Sequence, residues 1–473
     1  MPKETFFYHT KQLSFDYYHH KPTAESSYAE TLVNLLTDDL DFHNHSSSYA
    51  THNFHSFPAK FPPQLPAKFI LSLTNEGDVV LDPMMGSGTT VLESFLTGRR
   101  AVGVDIDPLA IKIAKVKTTN VSTKELMNVG RVILQKARNQ ATHEKQSLEK
   151  ELANRWDTKS KQFINYWFAP GTQLELIALL LQIERIADKQ VRTFFEVAFS
   201  ASIITKSGVS LALDLAHTRP HRAKKVIDTN GIVIVGEELA DQVSARLNIL
   251  TKKLRSPIDE FEKRCIQNIR SLSNASAERI EPQIEFGDVQ NLPLEDESVD
   301  LIVTSPPYAL NAIDYMRAHK FSLIWLGYPL EELSLKRKNY IGGEDTKNTE
   351  FEELPRYVSK IVSEISIMGK KRGRSLYRYY SEMKKALQEM YRVLRPGKAA
   401  IVVVGNSFIN GQDTKTHKCL AAIGQNIGFK VPQIGERKLD RNKRMMPAGK
   451  VVDFGSQIQQ RMHMEYVIGF YKP

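Results

Sequence analysis

The chain has 473 residues, 41% hydrophobic and 25% charged, which is ordinary globular composition and length enough for one large domain with insertions or for two or three smaller ones. A formal net charge of +10 and a pI near 9.2 favour an anionic partner such as nucleic acid. Two cysteines, Cys265 and Cys419, exclude a disulfide framework or a cysteine zinc site and suit a cytoplasmic protein; no signal-peptide core opens the chain and no apolar run reaches bilayer length, so no membrane partner is expected.

In chain order, residues 1–50 are aromatic, His-rich and weakly periodic, and read as an N-terminal arm. A proline-punctuated loop, "HNFHSFPAKFPP", then leads into a helix with Leu65, Phe69, Ile70 and Leu73 at helical spacing. Residues 78–118 read as strand, Gly loop, helix, strand, acidic turn and helix: one βαβ unit with a further helix. From about 120 to 280 the pattern turns long, charged and helical, too long for a single connection and therefore a subdomain. The α/β alternation resumes at "QIEFGDVQNLPLEDESVDLIVTSPPY" (283–308), continues through helix, Pro-Gly turn and strand at 378–407, and ends on the strand "EYVIGFYK" (465–472).

Two loops carry chemistry. In "LDPMMGSGTT" the strand ends at Asp82, and Gly86 and Gly88 let the backbone turn tightly and approach a ligand at a helix entry. Thr89 and Thr90 follow where a phosphate-binding loop needs Lys-Ser/Thr, and the third glycine of a dinucleotide site is missing. About 20 residues on, Asp105 ends the next strand, placed to accept bonds from ribose hydroxyls. An adenosine-type ligand without a lysine suits a sulfonium better than a triphosphate, which points to S-adenosyl-L-methionine. The second loop is "LIVTSPPYAL": a buried parallel strand runs through Leu301, Ile302 and Val303, then meets two prolines that cannot donate to a ladder and that hold the Pro306 carbonyl rigid and unoccupied.

Together "DPMMGSGTT", "GVDIDP" and "TSPPY" resemble the amino-methylating DNA methyltransferases, which act on an exocyclic amine of cytosine or adenine. The likeness covers about 50–118, 283–330 and 376–473. It implies an α/β, Rossmann-like S-adenosylmethionine-dependent methyltransferase fold, mostly parallel, with a large helical insertion. Residues 51–119 would form the cofactor-binding part of the catalytic domain, 283–330 its catalytic-loop part and 376–473 its C-terminal part. The insertion 120–282 and a basic loop 331–375 would share target recognition and DNA contact. Phe57 and Pro58 resemble the segment that closes over the methionine end of the cofactor, and Asp288 the acidic residue that meets its adenine; with Asp82, Gly86, Gly88, Thr89 and Asp105 they complete the cofactor set.

The resemblance also implies a mechanism. The lone pair of an exocyclic amine is delocalised into the ring; the Pro306 carbonyl and Ser305 side chain would accept its two N–H groups, favour a pyramidal nitrogen and leave the lone pair facing the sulfonium methyl. Pro307 stiffens the loop, and Tyr308 would stack on a base flipped out of double-stranded DNA. Serine rather than aspartate at the first position favours N4 of cytosine over N6 of adenine, and an RNA substrate is a further alternative. Carbon-5 methylation needs a cysteine nucleophile, and Cys265 and Cys419 sit in helical, packing contexts. Protection from a cognate restriction endonuclease or a defence system is the common use of such enzymes.

Among other features, His43, His45, His52 and His55 lack partner carboxylate or cysteine spacing and read as a polar loop near the cofactor, so no metal is expected. In "GKKRGRSLYRYY", Lys370, Lys371, Arg372, Arg374 and Arg378 alternate with tyrosines and suit a phosphate backbone. "HTRPHRAKK" (217–225) and "RKLDRNKRMMPAGK" (437–450) are weaker versions of that signal. Tyr315 and Trp325 read as core.

Overall fold

The computed structural model describes residues 27–58, 60–204, 208–215, 220–242, 244–272, 279–309, 314–342, 351–409, 412–439 and 464–473. Its strands, in chain order, are β1 (Val79–Asp82), β2 (Arg100–Asp105), β3 (Lys225–Ile227), β4 (Val233–Val235), β5 (Thr251–Lys253), β6 (Gln283–Phe286), β7 (Val299–Thr304), β8 (Leu394–Gly405), β9 (Phe408–Ile409), β10 (Gln412–Asp413), β11 (Ile434–Lys438) and β12 (Met464–Tyr471). Seven of them form one sheet in the order β11-β12-β8-β7-β1-β2-β6. The block from β8 to β6 is parallel, and β12 pairs antiparallel with both β8 and β11.

The apolar run at Leu301–Val303 is the middle of β7, and every residue of that strand is buried. Alternation explains why: Leu301 and Val303 point into one layer with Val80, Ile401 and Val403, while Ile302 points into the other with Leu81, Val102 and Val402. Helices Tyr28–Thr37 and Gln64–Leu73 cover the first layer; Arg356–Met368, Lys370–Val393 and Thr416–Ile427 cover the second. From β1 the chain moves outward through β2 to β6, then returns to β7 on the other side of β1. The order therefore reverses between β1 and β7, which sets the ligand crevice beyond the carboxyl ends of those two strands.

Three expectations are corrected. The arm does not extend to residue 50: Ser27 and Glu30 form a reciprocal capping box that starts the helix Tyr28–Thr37, and its Leu32, Leu35 and Leu36 are buried against the sheet. The insertion is helical as expected but carries the small sheet β4-β3-β5. Nor is it a separate body, because Phe194, Val197 and Phe199 share one apolar core with Leu109 and Ile113 of the helix Pro108–Lys117 and with Phe321 and Trp325 beyond the Ser305–Tyr308 loop. Residues 331–375 are not a loop either: the described part holds most of the helix Leu330–Lys338, all of Arg356–Met368 and the start of Lys370–Val393. Among the described residues no helix is long and apolar enough to cross a membrane.

Candidate active site

Two loops leave neighbouring strands at the switch point. The first is built from local bonds. Asp82 closes β1, and its Oδ1 accepts from Met84 N at 3.2 Å and from Thr304 Oγ1, at the end of β7, at 2.7 Å. Gly86 has φ +50° and Gly88 φ +73°; a Cβ on Gly86 would lie 3.1 Å from the Phe57 ring, and one on Gly88 2.9 Å from Ala114 Cβ. Both positions therefore need glycine, one for the turn under Phe57 and one for close helix packing. Gly88 then caps the helix Thr89–Leu96. Asp105 ends β2 with Oδ2 accepting from Gly86 N at 2.7 Å and Oδ1 from Asp107 N at 2.8 Å.

Phe57, Asp82, Gly86, Thr89, Asp105 and Asp288 line one cleft of about 920 Å³ open to solvent, and Ser305 and Pro307 of the second loop lie on its wall. Pro58, Gly88, Pro306 and Tyr308 do not line it: Gly88 sits one step behind as the helix cap, and Tyr308 turns its hydroxyl to Glu465 Oε1 at 2.8 Å. The lining is acidic. Burial pushes Asp82 up to about 6, and burial with the Asp107 charge pushes Asp105 up to about 7. Burial also acts to raise Asp107, but the His319 imidazole and its hydrogen bonds outweigh it and hold the carboxyl below its usual range.

Sequence reasoning missed part of the wall. Asp107 caps the helix Pro108–Lys117 through Leu109 N, and its other oxygen meets His319 Nδ1 at 2.6 Å and Tyr340 OH at 3.0 Å. "DIDP" gives a helix start, Asp before Pro, but nothing local announces His319 or Tyr340. Tyr315, read as core, lines the cleft and stacks on Phe57 with centroids 4.8 Å apart, whereas Trp325 is core as expected.

The histidines behave as a polar loop. His52 Nε2 lies 2.7 Å from Glu93 Oε1, His55 Nε2 3.0 Å from Ser200 Oγ and His43 Nε2 2.8 Å from the Lys438 carbonyl. Among the described residues no group of His, Cys, Asp or Glu could hold a metal. Cys265 and Cys419 are buried packing residues. Of the basic patch, Lys370, Lys371, Arg372 and Arg374 are exposed, and Arg374 lies over the Phe351 ring at 5.7 Å. Arg378 is corrected: it is buried, its Nε donates to Glu382 Oε1 at 2.7 Å and its Nη2 to the Lys338 carbonyl at 2.9 Å. It braces the Asn339–Ile341 wall of the cleft instead of meeting a phosphate. The start of the 217–225 stretch and nearly all of 437–450 lie outside the described residues.

This strand order, with a glycine loop and an acidic strand end at the switch point, is that of a Rossmann-like methyltransferase fold. The DNA methylase family matches residues 6–116. Type II methyltransferase M.MvaI of Kocuria varians is 26% identical over 404 residues, spanning 80% of this chain and 81% of that protein. Type II methyltransferase M.BsoBI of Geobacillus stearothermophilus is 22% identical over 466 residues, spanning 86% and 84%. The chain is accordingly similar to DNA methyltransferases, over residues 6–116 to the DNA methylase family and over most of its length to these Type II enzymes, and S-adenosyl-L-methionine is the methyl donor implied.

Proposed function

We propose that the chain methylates the exocyclic N4 amine of cytosine in a base flipped out of double-stranded DNA. The observation that carries this reading is Ser305, not aspartate, on the wall of the glycine-loop cleft. The cleft suits the donor: four carboxylates line it for a cationic ligand, and Ser87 on its wall has a buried Oγ with no partner among the described residues. Asp105 and Asp288 would hold the nucleoside, the Gly86–Gly88 backbone would pass close to it, and Phe57 stacked on Tyr315 would shut out water on one side. The donor supplies an electrophilic methyl. Ser305 and the Pro306 carbonyl would accept hydrogen bonds from the two amine N–H groups, favouring a pyramidal nitrogen whose lone pair faces the methyl; as N–C forms and C–S breaks with its pair left on sulfur, one of the two protons would pass to solvent.

Lys370 and Lys371 open the helix Lys370–Val393, where cations oppose the helix dipole. That placement makes sense if a phosphate of the DNA backbone settles there. The insertion and the 331–375 segment would share reading of the target, and a cognate restriction endonuclease would be the partner activity. Mass spectrometry of nucleosides from DNA treated with the protein and cofactor tests the proposal. N4-methylcytosine is expected; N6-methyladenine would replace cytosine by adenine, transfer confined to RNA would replace the substrate, and 5-methylcytosine would refute the mechanism.

A further inference from the structure

Tyr308, like Pro306, is a member of the Ser-Pro-Pro-Tyr loop that does not line the cleft. Its hydroxyl donates to Glu465 Oε1 at 2.8 Å, and the other oxygen of that carboxylate accepts from Arg437 Nη1. Glu465 and Arg437 are directly opposed across the β11–β12 pair, and both are almost wholly buried. Neither strand contributes a residue to the cleft wall. A second bond ties the same loop to the same region: Ser407 Oγ, just beyond β8, donates to the Ala309 carbonyl. Burial, with Glu465 beside it, pushes the Tyr308 phenol far above its usual range, so the phenol stays a donor at every working pH.

A buried ion pair is expensive to desolvate, and apolar residues would stabilise the pairing of β11 with β12 as well. Here the pair has a further task. We propose that Glu465, held by Arg437, is a positioning residue that fixes the ring of Tyr308 and thereby the catalytic loop for the flipped base. The geometry supports this: a tyrosine held only by packing can rotate about its side-chain bonds, whereas one pinned at its far oxygen presents one fixed face. Arg437 holds Glu465 from across the pair, so the carboxylate cannot swing away from the phenol. The inference rests on the methyltransferase reading of this loop and adds two residues to it from the far edge of the sheet.

Steady-state methyl transfer to unmethylated genomic duplex DNA, with labelled S-adenosyl-L-methionine, tests it in Glu465→Gln, Tyr308→Phe and the double variant. Each single change should lower kcat by about tenfold, with KM for DNA and for cofactor nearly unchanged, because the bond orders the loop without touching either substrate. The double variant should be no slower than the worse single one, since both remove the same link. Full activity of Glu465→Gln, multiplying losses in the double variant, or a cofactor KM that rises in step with the fall in kcat would each overturn the proposal. If Glu465→Gln does not fold, Tyr308→Phe alone decides, as it leaves the ion pair intact; undiminished kcat there overturns the proposal. A wild-type chain that methylates no duplex DNA overturns the functional reading beneath it, an outcome distinct from an active wild type with an unaffected variant.

Discussion

The two loops at the switch point leave adjacent parallel strands, yet they are held in opposite ways. The glycine loop is fixed mainly by its near neighbours: Asp82 bonds two residues on to Met84, and Gly86 reaches Asp105 over 19 residues. The Ser-Pro-Pro-Tyr loop is fixed by residues much later in the chain, with Ser407 98 and Glu465 157 residues away. The local bonds of the glycine loop can form as soon as one βαβ unit docks, and Thr304 Oγ1 adds its bond to Asp82 when β7 pairs with β1. The Ser-Pro-Pro-Tyr loop, tied to Ser407 beyond β8 and to Glu465 of β12, is complete only when the last strand of the sheet is in place. Binding and chemistry should therefore separate under mutation.

Ser305→Ala should give the largest effect, a fall in kcat of roughly 10²–10³, as expected for losing one preorganised group aimed at the transition state. Calorimetric affinity for the cofactor should stay within about twofold of the wild type. A parallel loss of affinity would show that the two loops are one unit. Arg378→Ala should come next, destabilising the fold by about 3 kcal/mol because it leaves Glu382 buried beside Gly342 N without its cation. Thermal unfolding checks this. The salt dependence of DNA binding should not change, and a smaller salt slope would return Arg378 to the DNA contact set.

These two residues also show what was legible. Ser305 stood out because a strand that stops at two prolines has few structural uses, and Asp82, Gly86 and Asp105 stood out because strand, turn and helix follow one another within 30 residues or so. Arg378 reads as a DNA contact only because a run of cations looks like a surface until the helix is phased. Its spacing of four from Glu382 was the available signal. The edge strand β11, the small sheet β4-β3-β5 and the Glu465 anchor were not legible, since their reasons for existing lie in partners brought together only by the fold. His319 belongs with them: a histidine in the first turn of the helix Met316–Leu323 gives no sign that an aspartate 212 residues earlier will meet it.

Asp105→Asn sharpens the account of the local cradle. Cofactor affinity should fall by about tenfold, as one charged acceptor toward the nucleoside is lost. The free protein should respond to pH in the other sense. The folded carboxyl is raised to about 7 from 3.8, so its contribution to stability is fully present below about 4 and is lost as pH rises through 7. Between pH 5 and pH 8.5 the wild type should lose more thermal stability than Asp105→Asn, by about 1 kcal/mol given the open cleft beside the group. Equal pH slopes would mean that the carboxylate is solvated well enough in the cleft to titrate as in the unfolded chain.

The smallest effect is expected at the basic start of the helix Lys370–Val393, and it should carry two opposite signs. In free protein, Lys370 and Lys371 place positive charge where the unsatisfied N–H groups of the helix already do so, at a cost of about 0.3–1 kcal/mol. Replacing both with alanine should therefore raise the melting temperature slightly. If each lysine releases one counterion from the DNA backbone, the double change should also lower the slope of log K against log salt by about 1.8, while leaving the methylated sequence and cofactor affinity unaltered. A raised melting temperature with an unchanged slope would leave the lysines as a solvated face. A reduced slope with no gain in stability would instead put the cations on DNA without any tension against the helix dipole, and the phosphate would have to lie beside the helix end instead of on it.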